Sequence, residues 1–505
     1  MPAVTNFAYP WVPDCGDGTY CNPILYADYS DPDVIRVGED FFLTASSFNC
    51  TPGLPILHSK DLVNWTIVNH GIKNLPHSRY AEVQHGCGVW APSLRYHGGR
   101  YWIFFPMPDD GIYVITADHP TGKWSEPHLL QEGRGLIDPC PLWDDDGRAY
   151  LVHAYAKSRS GIKHMLRVRP MAPDGSKLLG DGEIVHHDPD KHPTLEGPKF
   201  LRKDGWYYIL APAGGVETGW QVALRSKNIF GPYEEKIVLA QGDTDINGPH
   251  QGALVDSPSG DWWFIHFQDA GLYGRIVHLQ PVIWRDGWPL IGKNGEPVSR
   301  HPMPVVVPAQ LRFTPQTNDE FDGSALGLQW QWHANHRDDW HSLSSRPGWL
   351  RLFSQLAQLS LHQQANLLMQ KFPARSFSAQ TILEFFPKQH GEEAGLVLMG
   401  ESHTALGVRH DGKMNQIVLR TGKHESVLSQ VTTDPVNLRV DVCDGGLCSL
   451  AFGQKGKWVT IPQPVQACKG VWIGARLGLY SVRPNGDAPG GYADADYFRF
   501  QRGGG

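Results

Sequence analysis

DPDVIRVG at residues 31–38, with FFL following at residues 41–43, is the stretch that decides the fold of this 505-residue chain. An apolar segment, a polar turn and a second segment rich in aromatic residues are typical of a β-hairpin. The pattern recurs four times, as APSLRY with YWI (91–96, 101–103), DPCPLW with AYL (138–143, 149–151), EGPKFL with YYI (196–201, 207–209) and HQGALV with WWF (250–255, 262–264).

The spacing of these five hairpins indicates a β-propeller. Their first residues are 60, 47, 58 and 54 residues apart. A repeat of about 50 residues built from short strands is typical of propeller blades. We therefore predict an all-β chain that begins with a five-bladed β-propeller over residues 1–300.

A second domain is predicted after the repeats end. The segment 301–318 contains HPMPVVVP, and prolines do not fit a central strand, so we interpret it as a linker. Residues 319–505 show no propeller repeat, but segments such as 405–409 and 437–442 alternate as half-buried strands do. They predict a β-sandwich of the jelly-roll or concanavalin-like type.

Composition and charge exclude several functions. A formal charge of −7 and a pI near 6.4 argue against nucleic acid as a partner, and no apolar run is long enough to span a membrane. The first residues lack the pattern of a signal peptide, which predicts a cytoplasmic protein. The eight cysteines have no CxxC spacing and are interpreted as free thiols. The sequence leaves open whether the chain forms a homo-oligomer.

The aligned first positions of the five hairpins carry the candidate chemistry. They are Asp31, Ala91, Asp138, Glu196 and His250. Equivalent positions of propeller blades surround one axis, so three carboxylates and a histidine are expected to converge there. The alternative is that each Asp-Pro or Glu-Gly pair only forms a turn, which would not require three carboxylates in register.

Three convergent carboxylates suggest glycoside hydrolysis. This reaction needs one carboxyl group to protonate the leaving oxygen and another to activate water or attack carbon. A third carboxylate can raise the pKa of the acid by like-charge repulsion.

The sequence resembles glycoside hydrolase family 43, the β-xylosidases and α-L-arabinofuranosidases. The resemblance rests on an ordered series of motifs, namely NPIL (22–25), GLPILHSKDL (53–62), VWAPSL (89–94), IDP (137–139), EGP (196–198) and GRIVHLQP (274–281). It implies an inverting, exo-acting enzyme that releases xylose, and in some members arabinofuranose, from short oligosaccharides. The substrate would be a xylooligosaccharide or an arabinose-substituted oligosaccharide; galactans or arabinans are the alternative.

The resemblance also implies roles for individual residues. Asp31 matches the general base, Asp138 the residue that orients and tunes the acid, and Glu196 the general acid. Arg275 matches an arginine that hydrogen-bonds the terminal sugar, and a guanidinium suits paired hydroxyls; the alternative is an ion pair that joins two blades. His250 matches a histidine that in some members faces a water or a hydrated calcium ion; otherwise it is a satisfied core histidine.

Aromatic residues near the predicted pocket are candidates for a sugar-stacking wall. These are Trp90, Phe48 and Phe267, each of which has packing as its alternative role. Many family xylosidases carry an aromatic pair where this chain reads FNCTPG at 48–53. This difference leaves the preference between xylose and arabinofuranose open.

The second domain resembles the C-terminal β-sandwich of these enzymes. The likeness rests on DEFDG (319–323), LQWQW (328–332) and DADYF (494–498). It implies a domain that closes one side of the pocket. Asp319 and Asp496 are candidate ligands of a structural Ca²⁺, because carboxylates suit hard cations; the alternative is that they are solvated carboxylates of turns. No cofactor is expected for the chemistry itself.

Two other functions fit the sequence less well. A retaining, fructan-cleaving enzyme also joins a propeller to a sandwich, but its three motifs differ from those around Asp31, Asp138 and Glu196. A sugar-binding propeller without catalysis would have no use for three convergent carboxylates.

Overall fold

The computed structural model describes residues 9–305, 313–431, 435–484, 486 and 488–503. Over these ranges the chain is built from β-strands, joined by a single four-residue α-helix, Lys157–Ser160, and by short 3₁₀ turns. The 3₁₀ turns are Ser78–Ala81, Gly271–Tyr273, Asp338–Trp340 and Leu361–Gln363. No helix of the described ranges has the length and apolar character needed to cross a membrane. The prediction of an all-β chain is confirmed.

The first domain is a five-bladed propeller, as predicted, and every blade is a sheet of four consecutive antiparallel strands. Blade 1 contains Asp33–Val37, Asp40–Thr44, Gly53–Ser59 and Thr66–Ile72; blade 2 contains Ser93–His97, Arg100–Met107, Gly111–Ala117 and His128–Glu132; blade 3 contains Leu136–Trp143, Ala149–Tyr155, Met165–Met171 and Glu183–His187; blade 4 contains Lys199–Lys203, Trp206–Ala213, Trp220–Ser226 and Glu234–Ala240; blade 5 contains His250–Asp256, Trp262–Asp269, Arg275–Arg285 and Trp288–Ile291.

The apolar segments of the repeat form the core between blades. Phe41 and Leu43 of blade 1 are fully buried and pack in one cluster with Val255 and Ile265 of blade 5. The first strands of successive blades lie side by side around the axis. Residues at the start of these strands are therefore held at one end of the axis by the packing of the blades.

Polar contacts close the ring between blades 1 and 5. The side chain of Asn22 donates hydrogen bonds to the carbonyls of Leu279 and Val298 and accepts one from the backbone N–H of Leu279. Thr19–Cys21 pairs with Arg300–Pro302 in a two-stranded sheet. The start of the predicted linker thus takes part in this closure, whereas its residues 306–312 lie outside the described residues. The predicted domain boundaries stay a prediction.

The second domain is a β-sandwich, also as predicted. One sheet runs in the order Gln331–Trp332, Leu368–Lys371, Arg476–Arg483, Glu393–Met399, His403–His410, Asn415–Thr421 and His424–Gln430, with Gln355–Leu356 beside Arg476–Arg483. The other runs in the order His341–Ser342, Leu350–Phe353, Tyr492–Arg502, Phe377–Phe386, Val436–Val442, Leu447–Gln454 and Lys457–Thr460, with Val465–Gln466 beside Leu447–Gln454. Strand Phe377–Phe386 alternates between buried and partly exposed residues, as a strand covering a core on one face does.

The sandwich is held against the propeller by backbone hydrogen bonds and a shared core. Thr51 and Trp332 exchange two backbone hydrogen bonds of 3.1 and 2.6 Å. The Asp28 carboxylate accepts a hydrogen bond from the backbone N–H of Gly474. Tyr26 and Tyr273 of the propeller pack into the main hydrophobic cluster of the sandwich. This contact fixes the loop that carries Trp472 beside the end of the propeller axis.

Candidate active site

A cavity of about 730 Å³ opens at one end of the propeller axis, and we call it the axial cavity. All five aligned first positions of the blades line it, namely Asp31, Ala91, Asp138, Glu196 and His250. The structure therefore brings together the residues that the hairpin alignment placed in register. The volume falls in the range typical of small-molecule sites.

Asp31 is buried and surrounded by hydrogen-bond donors. Its Oδ2 accepts hydrogen bonds from the hydroxyls of Ser30 at 2.7 Å and Ser46 at 2.6 Å. Nη1 of Arg275 lies 3.2 and 3.3 Å from its two carboxylate oxygens. The backbone of Asp31 has a φ of 55°, which is costly for a residue other than glycine and persists where the surroundings impose it. This arrangement holds the carboxylate as a fixed acceptor at the cavity surface.

Asp138 is the most deeply buried of the three carboxylates, with 3% of its surface exposed, and its φ is 56°. Burial, together with the nearby charges of Glu196 and Asp31, raises the pKa of Asp138. The backbone N–H of Gly197 donates a 2.8 Å hydrogen bond to its Oδ2, which opposes the shift. Asp138 is thus bonded to the residue that directly follows Glu196.

Glu196 has the most exposed side chain of the three, at 27%, so it can reach a substrate in the cavity. Its Oε1 lies 3.1 Å from Nε2 of His250, which is itself 1% exposed. Gly197 follows with a φ of 58°, and a Cβ there would lie 2.2 Å from Cγ of Gln251. A glycine is therefore required beside the predicted acid.

Arg275 is the first residue of the third strand of blade 5, and its side chain contacts the carboxylate of Asp31. It donates through Nη1 to Ser30 Oγ at 2.7 Å, and its backbone N–H donates to Asp28. Its guanidinium carbon lies 4.8 Å from the ring centre of Phe267 and 5.7 Å from that of Trp472. The guanidinium thus lies close to two aromatic rings, and its Nη1 contacts Asp31.

Two of the three predicted aromatic residues line the axial cavity. Phe48 and Trp90 do so, with ring centres 6.4 Å apart. The prediction that Phe267 belongs to this wall is wrong, because the side chain is fully buried and packs beneath Arg275 and beside His250. Phe267 therefore supports residues of the cavity rather than facing it.

The sequence did not reveal Trp472, which the sandwich contributes to the cavity. Its ring centre lies 6.3 Å from that of Trp90, and half of its surface is exposed. Its φ of 64° shows that the loop imposes an uncommon conformation on it. Blade 3 contributes Lys157 and Lys163 to the lining from the segment around its short helix. Nothing in the repeat pattern could have linked Trp472 to the pocket.

One of the two predicted calcium ligands in the sandwich, Asp319, has protein partners for its carboxylate. The carboxylate of Asp319 accepts hydrogen bonds from the backbone of Phe321 and Gly327 and from Nε1 of Trp330. Within the described ranges, Asp319 and Asp496 do not join a cluster of three ligating side chains. Asp319 closes the loop at the start of the sandwich through these bonds, and calcium binding by Asp319 and Asp496 stays a prediction.

Three carboxylates at the end of a five-bladed propeller axis, facing a sugar-sized cavity, define a glycoside hydrolase. The model for the glycosyl hydrolases of family 43 matches residues 20–289, and that for the beta xylosidase C-terminal concanavalin A-like domain matches residues 318–501. The chain belongs to glycoside hydrolase family 43. It is a glycosidase that hydrolyses glycosidic bonds, acts on oligosaccharides and, like its family, needs no cofactor for the chemistry.

Similar proteins cover nearly the whole chain. A protein of Xylanibacter ruminicola is 41% identical over 433 residues, which are 83% of this chain and 79% of that one. A beta-xylosidase of Formosa agariphila is 32% identical over 96% of this chain and 91% of its own. The crystal structure of a xylan beta-1,4-xylosidase from Bacillus halodurans C-125 superimposes with a TM-score of 0.84 at 27% identity, covering 95% of this chain and all of that one.

Proposed function

We propose that this enzyme is an exo-acting β-xylosidase that releases xylose from the non-reducing end of xylooligosaccharides with inversion of configuration. The observation that carries the proposal is the placement of Asp31, Asp138 and Glu196 around one cavity that an aromatic residue of the second domain closes on one side. Relatives named beta-xylosidase that match along the whole chain support xylose as the sugar.

In the proposed mechanism, Asp31 is the general base. All described partners of its carboxylate are donors, namely Ser30, Ser46 and Arg275, which is the environment expected for a carboxylate ion. A water molecule between Asp31 and the anomeric carbon gives its proton to the carboxylate as its oxygen bonds to that carbon. The sugar is thereby attacked on the face opposite the leaving group.

Glu196 is the proposed general acid. As the glycosidic bond breaks, the carboxyl group gives its proton to the leaving oxygen, so the bond's electron pair leaves with a neutral alcohol. Its partly exposed side chain suits a group that must meet a substrate oxygen, and His250 contacts the Oε1 atom at 3.1 Å. Asp138 orients this segment through its hydrogen bond to the N–H of Gly197.

The shape of the axial cavity supports cleavage from the chain end. Trp472 of the sandwich lines the cavity together with Trp90, Lys157 and Lys163 of the propeller, so the cavity is enclosed by residues of both domains. A sugar ring can stack on an aromatic face while its hydroxyls meet the guanidinium of Arg275. A long polysaccharide would need an open groove instead.

The first test measures the release of p-nitrophenol from the β-D-xylopyranoside and the α-L-arabinofuranoside in parallel. We expect the xyloside to be the better substrate, with Asp31→Ala and Glu196→Ala each losing at least about 10³-fold in kcat while leaving the fold intact. A better rate on the arabinofuranoside would reassign the sugar. Near-wild-type turnover by either variant would contradict the roles of base and acid.

The stereochemistry is tested by proton NMR on the newly formed xylose. Inversion at a β-xyloside gives α-xylose first, before mutarotation, whereas a retaining enzyme gives β-xylose first. The same assay after EDTA treatment tests a hydrated calcium ion beside His250. Loss of activity that calcium restores would support the ion, and unchanged activity would exclude it from this role.

A further inference from the structure

Two histidines and a glutamate meet where the outer edges of blades 3 and 4 adjoin. His186 belongs to the last strand of blade 3, His192 to the connection that leads to Glu196, and Glu235 to the last strand of blade 4. Nε2 of His186 lies 3.8 Å from Oε2 of Glu235, and Nε2 of His192 lies 3.3 Å from the same oxygen. None of the three side chains lines the axial cavity, so the proposed catalysis does not use them.

In this cluster His192 is buried and His186 is half-buried, and both have ring nitrogens without a hydrogen-bond partner among the described residues. His192 is 1% exposed, and over the part of the chain that the structure describes neither of its ring nitrogens has a partner, nor does Nε2 of His186. An unsatisfied buried nitrogen costs about 1–3 kcal/mol. A neutral imidazole nitrogen that has no hydrogen-bond partner offers its lone pair to a metal ion.

We propose that His186, His192 and Glu235 form a binding site for one divalent transition-metal ion, with Zn²⁺ as the best fit. Imidazole nitrogens and a carboxylate oxygen are the ligands that zinc takes at about 2.0–2.2 Å. Ligand atoms at such distances around a tetrahedral ion lie about 3.4 Å apart. The two histidines lie 3.8 and 3.3 Å from Oε2 of Glu235, and all three ligand atoms lie within 4.8 Å of one another. Lys191 contacts the other carboxylate oxygen, Oε1, which leaves Oε2 for the ion.

The site would brace the segment that positions the predicted acid. His192 follows a turn in which its backbone N–H donates to the carbonyl of Asp188, and the chain reaches Glu196 four residues later. A metal ion shared with Glu235 would tie this turn to blade 4 as well as to blade 3. Binding is therefore expected to stabilise the folded enzyme against heat.

The test titrates the EDTA-stripped full-length enzyme with Zn²⁺ by calorimetry and with Co²⁺ by visible absorption. We expect one equivalent of Zn²⁺ to bind, Co²⁺ to show ligand-field bands of a site with nitrogen ligands, and added Zn²⁺ to raise the melting temperature. His192→Ala and Glu235→Gln should each weaken binding at least tenfold and remove the rise in melting temperature. His187→Ala, on the same strand but outside the cluster, should bind as the wild type does.

Other results would overturn the proposal. Absence of stoichiometric binding would do so, as would wild-type affinity in both cluster variants, which would point to a different site such as Cys15 and Cys21, whose sulfurs lie 2.9 Å apart. If His192→Ala does not fold, Glu235→Gln decides alone, because its side chain is 21% exposed and tolerates the isosteric change better. Calorimetry reports on binding independently of hydrolysis, so failure of the proposed activity would not affect this test.

Discussion

Replacing Asp138 by asparagine is expected to make the enzyme more stable while making it much less active. Burial and the charges of Glu196 and Asp31 raise the pKa of Asp138, and its one described hydrogen bond, from the N–H of Gly197, does not offset them. The ionised carboxylate is therefore less favourable in the folded enzyme than in the unfolded chain. Asparagine keeps an acceptor for the N–H of Gly197 and removes the charge.

The sign and size of the effect follow from linkage. Below the pKa of the unfolded carboxyl group Asp138 is protonated in both states, so the substitution changes little near pH 3. As the pH rises toward the raised folded pKa, only the unfolded chain loses the proton, so the wild type loses stability and the variant does not. Each pH unit above the pKa of the unfolded carboxyl group lowers the free energy of unfolding of the wild type by about 1.4 kcal/mol. At pH 6, about two units above the unfolded pKa and still below the raised pKa of about 8, the wild type has lost about 3 kcal/mol, or about 3–5 °C in melting temperature for a chain of this size.

The assay is differential scanning calorimetry of wild type and Asp138→Asn from pH 4 to pH 8, with kcat on the aryl xyloside in parallel. The difference in melting temperature should grow with pH, while kcat falls by about 10²-fold. Asp144→Asn is the matched control, because the buried Asp144 carboxylate accepts hydrogen bonds from Arg202 and Tyr207. This variant should melt at a lower temperature than the wild type. A variant of Asp138 that melts at or below the wild-type temperature throughout this range would refute the reasoning.

Three further substitutions test the site and the ring closure. Trp472→Ala should raise KM about tenfold with a smaller change in kcat, because the ring adds contact area for the sugar; steady-state kinetics showing an unchanged KM would exclude the contact. Arg275→Ala should lower kcat/KM by about 10²-fold or more, since it leaves Ser30 and Asp31 without their cation; activity within twofold of wild type would contradict this. Arg36→Ala breaks a partly exposed ion pair with Asp256 between blades 1 and 5. Urea unfolding should therefore show a loss of only about 0.5–1 kcal/mol in the free energy of unfolding, and less at high salt. A larger loss that does not depend on salt would contradict this estimate for the ion pair.

The propeller and its carboxylates could be predicted because each blade repeats the same local chemistry. A hairpin of apolar and aromatic strands is encoded within about 20 residues, and the register of five hairpins then places Asp31, Asp138, Glu196 and His250 at one end of the axis. The positive φ angles of Asp31 and Asp138 were not visible in the repeat. They arise from the packing at the axis, which overrides local preference.

Predictions that depended on side-chain direction were less successful. Phe267 follows the aromatic segment of blade 5 in the same strand, Trp262–Asp269, and the alternation of side chains directs it behind Arg275 and not into the cavity. The three proposed metal ligands come from two blade edges and a connection, so no spacing in the sequence unites them. In both cases the outcome depends on which face of a strand packs against which neighbouring element. The repeat of hairpins along the sequence does not predict that.

The sandwich explains why the pocket is closed on one side although the blades of the propeller surround the axis symmetrically. Five first strands alone would leave the end of the axis open on every side, yet Trp472 stands beside Trp90 and over the guanidinium of Arg275. Its position depends on the hydrogen bond from the N–H of Gly474 to Asp28, whose other oxygen holds the backbone N–H of Arg275. One carboxylate thus fixes the residue of each domain that faces the sugar. The second domain is therefore part of the binding site, and the size of the substrate is determined by both domains together.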